Sequence, residues 1–322
     1  MTLDVIGLGA LNMDYLYRVG RLLEDDEAVV TESISSPGGS AANTIFGLAK
    51  LGMKTGFAGV VGDDADGKRM LQDFQNVRVD ISQIRVKAGA NTGSVLCLSD
   101  QSGQRSLHVV PGANDQLSRD DLDPTYLNQA QIVHLSSFAG ERQFQISAEL
   151  IPELAPSVKV SFAPGALYAI KGLKALAPML SRTHLLFINR DEIEQLTGRE
   201  VTAGVEDCLN LGCHMVVVTM GKGTTLKLGG KTVSAVGYIR DTGKEYIIEP
   251  GKPEKVIDTT GAGDAFATGF LYGLLKKKGL EECGRLGDTV ARLAITKLGT
   301  RQGFPTPNEL AQRYQERYGQ KL

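Results

Sequence analysis

The feature that most constrains this chain is a regular alternation of short apolar runs with stretches of helical period. Apolar runs at 3–8, 55–61, 132–136, 158–162, 184–188 and 215–219 read as buried strands. Helix-period segments at 41–51, 65–75, 142–155 and 167–180, and one opening at Asn189, fall between them. Strand followed by helix, repeated, builds a mostly parallel sheet with helices on both faces. Two places break the rule. Strands 15–19 and 28–34, around the acidic turn Glu24-Asp25-Asp26-Glu27, have no helix between them. Neither do 92–99 and 105–110, around Asp100-Gln101-Ser102-Gly103. These four strands predict a small β-sheet lid, drawn from about residues 12–35 and 90–111, too small for a core of its own. A hairpin at 224–228 and 232–236 turns on Gly229-Gly230; a polar stretch, 237–255, leads to a strand at 246–249. Helices at 265–277, 280–298 and 305–318 complete the reading. The 322 residues make one doubly wound α/β domain, 1–322, carrying that lid.

Composition excludes several classes of function. The formal charge is −2, so no nucleic-acid footprint is present. No apolar run is long enough to span a bilayer. Met1-Thr2-Leu3-Asp4-Val5-Ile6-Gly7 lacks a basic region and reads as the first core strand, not a signal peptide. Cys97, Cys208, Cys213 and Cys283 have no metal or redox spacing and read as reduced thiols of a cytoplasmic protein. Gly7-Leu8-Gly9-Ala10-Leu11-Asn12 approaches the dinucleotide fingerprint. It lacks the third glycine and runs into a strand where a helix is needed, which removes an NAD-dependent oxidoreductase. No Walker A sequence occurs, so any nucleotide is held in another way.

The chemistry concentrates in Asp258-Thr259-Thr260-Gly261-Ala262-Gly263-Asp264. These glycines stand at the first turn of a helix, where backbone N–H groups have no intrahelical partner and the dipole adds positive charge. Small residues let an anion approach closely. Asp264 would repel that anion, so its better use is to accept a proton. An anion cradle beside a base suits phosphoryl transfer to a hydroxyl. An N-capping Asp in a glycine turn would explain an isolated Gly-x-Gly-Asp. It does not explain a second glycine signature far upstream, Pro37-Gly38-Gly39-Ser40-Ala41-Ala42-Asn43-Thr44-Ile45. There Gly38 and Gly39 allow close backbone approach, and Asn43 offers both donor and acceptor. Asn12-Met13-Asp14 adds a carboxylate whose spare lone pairs suit a vicinal diol.

On these motifs the chain resembles the ribokinase-like (PfkB) sugar and nucleoside kinases, over nearly its whole length. The resemblance implies an anion hole from the amides of Gly261, Ala262 and Gly263, with Asp264 as catalytic base. It implies that Asn12, Asp14, Gly38, Gly39 and Asn43 bind the acceptor's hydroxyls. Asn189-Arg190-Asp191-Glu192 resembles the family's Asn-x-x-Glu motif at the Mg²⁺–phosphate site, with Glu192 reaching the metal through water. By spacing alone the same residues read as a capping box. Thr219, Gly221 and Gly223 resemble the ATP-binding turn, with Lys222 read as exposed; Asp288 falls where the family borders its adenine pocket, often with Asn. Asp258 and Thr260, with Ala294, Lys297, Gly299 and Gly303, fall where several members bind a monovalent cation. The implied cofactors are therefore ATP and Mg²⁺, with K⁺ as a further candidate.

The implied activity is transfer of the γ-phosphoryl group of ATP to a primary hydroxyl of a small sugar or nucleoside. Ser40, in Gly-Gly-Ser-Ala-Ala-Asn-Thr, resembles the adenosine and archaeal-type nucleoside kinases more than members with Lys or Ala-Pro there. That leans toward ribose or a nucleoside over a hexose. A sugar-phosphate acceptor is the first alternative, with Arg18, Arg21 and Arg105 as lid candidates; a non-catalytic binding protein on the same fold is the second. Ser136-Ser137-Phe138, at a strand's carboxyl end, is a further candidate for acceptor contact, while His134 reads as a core histidine. Family dimers through the lid imply a homodimer.

Overall fold

The computed structural model describes residues 2–322 except 23–26, 101–104, 229–230 and 253. The turns expected at 24–27, 100–103 and 229–230 therefore lie wholly or partly outside the described residues. The first strand, β1 (Leu3–Leu8), runs through a nine-stranded sheet. β4 (Thr55–Gly62) and β5 (Asp80–Lys87) lie on one side of it. β8 (Ala130–Ser136), β9 (Lys159–Ala163), β10 (Thr183–Asn189) and β11 (Met215–Leu228) lie on the other. These seven pair in parallel. β12 (Lys231–Asp241) and β13 (Glu245–Ile248) extend the β11 edge antiparallel.

Period-two alternation sorts each buried strand between two cores. In β10, Leu186 and Ile188 enter one core, while Leu185 and Phe187 enter the other. The first face is covered by α3 (Pro124–Leu127), α4 (Glu141–Glu153), α5 (Gly165–Ala169), α6 (Gly172–Leu180), α7 (Arg190–Thr197) and α8 (Val201–Asn210). The second is covered by α1 (Ser40–Lys50), α2 (Ala65–Asn76), α9 (Ala262–Leu275), α10 (Leu280–Ala294) and α11 (Pro307–Tyr318). All four cysteines are buried free thiols. Among the described residues no helix is long and apolar enough to cross a membrane.

The lid is a second sheet of β3 (Val30–Gly38), β2 (Asn12–Val19), β6 (Gly93–Ser99) and β7 (Arg105–Val110), in that order. Its two antiparallel pairs are joined by a parallel one, from Asn12 opposite Gly93 to Arg18 opposite Ser99. Because β2 starts at Asn12 and not at Tyr15, the Asn12-Met13-Asp14 motif lies inside a lid strand.

Several expectations are corrected. The 167–180 helix is two helices, broken where Gly172 takes φ +77°. The helix from Leu280 stops at Ala294, and the expected polar stretch 237–255 begins with core strand: Tyr238 and Ile239 are fully buried in β12. Residues 224–228 do not start a new strand; they continue β11 past a register break between Thr219 and Thr224. α9 is buried almost all round, not along one face, because it packs between α1 and α10 over the sheet. Strand β5 and helix α8 were not anticipated.

Candidate active site

The carboxyl ends of β8 to β11 open toward the start of α9, the crevice where parallel sheets take ligands. A cleft of about 100 Å³ there is lined by Ser40, Asn189, Glu192, Thr219, Gly263 and Asp264 among others. Gly261 precedes α9 at φ +77°, a left-handed conformation that favours glycine. Among the described residues no side chain caps this helix, so the N–H groups of its first turn face the cleft with only the dipole to complement. The Ala262 N–H is the exception; it donates to Thr259 O at 3.2 Å.

Asp264 sits on that first turn and is held from α1. Ser40 Oγ donates to its Oδ1 at 2.7 Å, and Asn43 Nδ2 donates to its Oδ2 at 2.9 Å. Burial nevertheless pushes its pKa up to about 6; the two hydrogen bonds and Arg301 pull it down, and Glu192 pushes it up. A carboxylate that is ionised at neutral pH yet basic for its kind suits proton abstraction.

Asp14 is the second unusual carboxylate. It is 7% exposed, and among the described residues no hydrogen-bond donor reaches it. Burial raises its pKa to about 7, with Arg301 lowering it and Asp264 and Asp258 raising it further. Such a group keeps its lone pairs for a ligand's hydroxyls. Gly38 makes room for it, since a Cβ there would lie 2.0 Å from Asp14 Oδ2. Gly39 opens α1 at φ +94°. Asn12 is committed otherwise: its Oδ1 accepts from Asn114 Nδ2 at 2.9 Å, which ties the lid to the body.

At the end of β10, Asn189 and Glu192 form the capping box that spacing alone suggests. Asn189 Oδ1 accepts from Glu192 N at 2.8 Å, and Glu192 Oε2 from Asn189 N at 3.0 Å. Both still line the cleft, and burial raises the Glu192 pKa. One carboxylate at the rim fits Mg²⁺, which keeps several waters and is otherwise held by phosphates. Gly221 and Gly223 shape the break in β11, at φ +55° and +102°. Asp258 spends both oxygens on amides, from Thr260 N at 2.9 Å and Gly299 N at 3.0 Å, which joins it to the loop after α10. Thr260, partly buried, lies in the same turn. Asp288 does not face open space: Arg292 Nε at 2.9 Å and Arg317 at 2.7 Å hold it. Those arginines line a separate cavity of about 530 Å³ with Lys252 and Arg313.

Ser136, a candidate for acceptor contact, instead accepts the Ala41 N–H at 3.1 Å and so fixes the start of α1. His134 is a core histidine, beside Ser161 Oγ at 2.9 Å, and burial lowers its pKa to about 3. Sequence reasoning missed two participants. Ser40 was read for acceptor class and not as a partner of Asp264. Arg301 carried no signal, because a lone arginine in Gly-Thr-Arg-Gln-Gly matches no motif.

The pfkB family carbohydrate kinase model matches residues 3–307. The chain belongs to this family. It is an ATP-dependent phosphotransferase with an alcohol group of a sugar or nucleoside as acceptor. An uncharacterized sugar kinase of Archaeoglobus fulgidus is 36% identical over 263 residues, 81% of this chain and 98% of that one. A ribokinase of Haemophilus influenzae is 29% identical, covering 94% of this chain and 95% of its own length. The nucleoside kinase of Methanocaldococcus jannaschii shares the fold at a TM-score of 0.81 and 23% identity, over 98% of this chain and 99% of that one.

Proposed function

We propose that the family's reaction runs here on a primary hydroxyl of a ribose-type sugar or a nucleoside, with Asp264 as general base. The observation that carries this reading is the Asp264 carboxylate, aimed by Ser40 and Asn43, at the open N-terminus of α9. Asp14 accepts from the acceptor's other hydroxyls, and the Gly38 and Gly39 backbone, with Asn43, closes around them. The acceptor hydroxyl gives its proton to Asp264 as its oxygen bonds the γ-phosphorus; the bond from that phosphorus to ADP breaks, and ADP leaves with the electron pair. The N–H groups of the Gly261-Ala262-Gly263-Asp264 turn take the charge on the moving phosphoryl oxygens, so positioning and electrostatics do most of the work. Glu192, at the rim of the cleft, would hold Mg²⁺ through water, and the ion would supply neutralisation of phosphate charge. Asn189, Thr219, Gly221 and Gly223 hold the phosphate end of ATP. The cavity lined by Arg292 and Arg317, the two arginines that hold Asp288, takes the nucleoside end. The turn that joins Asp258 and Thr260 to the loop after α10 would hold K⁺. The lid excludes water during transfer, and in a cytoplasmic dimer it also meets its copy.

The test is ADP release measured with ATP, Mg²⁺ and a panel of ribose, ribose 1-phosphate, cytidine, inosine and fructose. The account expects turnover with ribose or a nucleoside to exceed that with fructose at least tenfold. Fructose as the best acceptor would overturn the acceptor class, and ribose 1-phosphate would favour the sugar-phosphate reading. Tight binding without turnover would favour the non-catalytic one.

A further inference from the structure

Arg301 lies in the loop between α10 and α11, is 4% exposed, and uses every face of its guanidinium. Nε donates to Asn43 Oδ1 at 3.0 Å, Nη2 donates to Gly38 O at 3.1 Å, and Nη1 pairs with Asp73 of α2. The rings of Phe46 and Phe74 lie 5.1 and 5.2 Å from its Cζ. The same loop is pinned beside it, with Thr300 Oγ1 donating to Pro37 O at 3.0 Å. One buried side chain therefore touches both glycine-signature residues that flank the acceptor space.

We propose that Arg301 is a positioning residue that sets the direction of the Asn43 amide and, through it, of Asp264. An arginine can only donate, so the Asn43 group facing it must be the carbonyl oxygen. The amide nitrogen then points the other way, at Asp264 Oδ2, 2.9 Å distant. A flipped amide would set its oxygen against the carboxylate and its N–H₂ against the guanidinium. The fork's other arm fixes the Gly38 carbonyl, and with it the backbone packed against Asp14. A chain of contacts thus runs from Asp73, a quarter exposed, through Arg301 and Asn43 to the base. Lysine cannot replace this fork, because one ammonium cannot reach Asn43, Gly38 and Asp73 together.

The inference rests on the proposed kinase site, and wild-type turnover with the best acceptor of the panel is measured first. Absence of that turnover would count against the site reading itself. Given turnover, Arg301→Lys is expected to lower acceptor kcat/KM about 10- to 100-fold, the scale of a lost charged hydrogen bond. The KM for ATP should stay within about twofold, because Arg301 touches nothing on the donor side. A double-mutant cycle then separates positioning from mere structure. In an Asn43→Ala background, under single-turnover conditions with enzyme in excess, Arg301→Lys should cost less than about threefold more. Additive losses, or an Arg301→Lys enzyme with wild-type kcat and acceptor KM, would overturn the inference. If Arg301→Lys does not fold by thermal melt, Asp73→Asn frees the outer arm of the fork, and the same cycle with the same criteria decides.

Discussion

Replacing Asp264 by Asn should slow the protein and stabilise it at once. The carboxylate is held at a pKa of about 6, raised from its ordinary value of 3.8 mainly by burial. A raised folded-state pKa means that the fold prefers the neutral acid. The stability this brings is present in full below the unfolded value and is lost as pH rises through about 6. Asn imitates the neutral acid at every pH: its Oδ1 can accept from Asn43 and its Nδ2 can face Ser40 Oγ. A shift of about two units corresponds to about 3 kcal/mol gained at pH 8 and roughly half of that at pH 5. This is an upper bound, because Asn only approximates a protonated carboxyl. At roughly 2 °C per kcal/mol for a chain of this size, the melting temperature at pH 8 should rise by up to about 6 °C. Turnover should fall about 10²- to 10⁴-fold with ATP binding kept. Scanning calorimetry at both pH values, paired with a steady-state assay, measures both effects. A variant that melts at or below wild type at pH 8 would refute the reasoning about the buried charge. Near-normal turnover would refute the base.

Five further outcomes are expected. The pH profile of acceptor kcat/KM should fall on the acid side between about 6 and about 7, because Asp264 and Asp14 act ionised and their raised pKa values place the loss there; a profile flat down to pH 5 would contradict both roles. Asp14→Ala should weaken acceptor binding by roughly 1.5–3 kcal/mol and leave ATP affinity alone, by calorimetry; equal losses for both ligands would make Asp14 structural. Gly38→Ala drives a methyl to 2.0 Å from Asp14 Oδ2, so acceptor KM should rise far more than ATP KM; an unchanged acceptor KM would show that the strand shifts freely. The lid exposes Leu96, Leu107 and Val110, which are 38%, 49% and 56% accessible, and a dimer through it should appear by light scattering at micromolar concentration. A monomer mass at all concentrations would remove that dimer. Acceptor binding should slow hydrogen exchange in 93–99 and 105–110.

The parallel body was legible because its strands are buried on both faces and read as unbroken apolar runs, as Leu185 to Ile188 does. Strand β5 was not, because its sequence Asp80-Ile81-Ser82-Gln83-Ile84-Arg85 belongs to a half-exposed edge. The two-strand antiparallel edge was misjudged for a related reason. Gly237 to Asp241 looks polar around a glycine, yet Tyr238 is buried in the first core and Ile239 in the second, where α10 packs on β12. Asp264, Asp14, Gly38 and Asn43 could be singled out from the sequence as candidates because close backbone approach and a free carboxylate demand particular residue types, and the structure brings them together. Asn114 and Arg301 could not, and Ser136 was singled out for acceptor contact and not as the anchor of α1. Each acts by where the chain brings it, Arg301 across 258 residues to Asn43, and no local spacing encodes that.

The central claim, that Asp264 moves a proton from a primary hydroxyl as phosphorus is transferred, is tested most directly by ³¹P NMR of the reaction itself. ATP, Mg²⁺ and the best acceptor of the panel are incubated with wild type and with Asp264→Asn at equal concentration. The account predicts a new phosphomonoester signal coupled to a CH₂ group, growing as ADP grows with wild type and reduced at least about 100-fold in the variant. A phosphoester on a secondary carbon, inorganic phosphate as the only product, or equal product from the two proteins would contradict it.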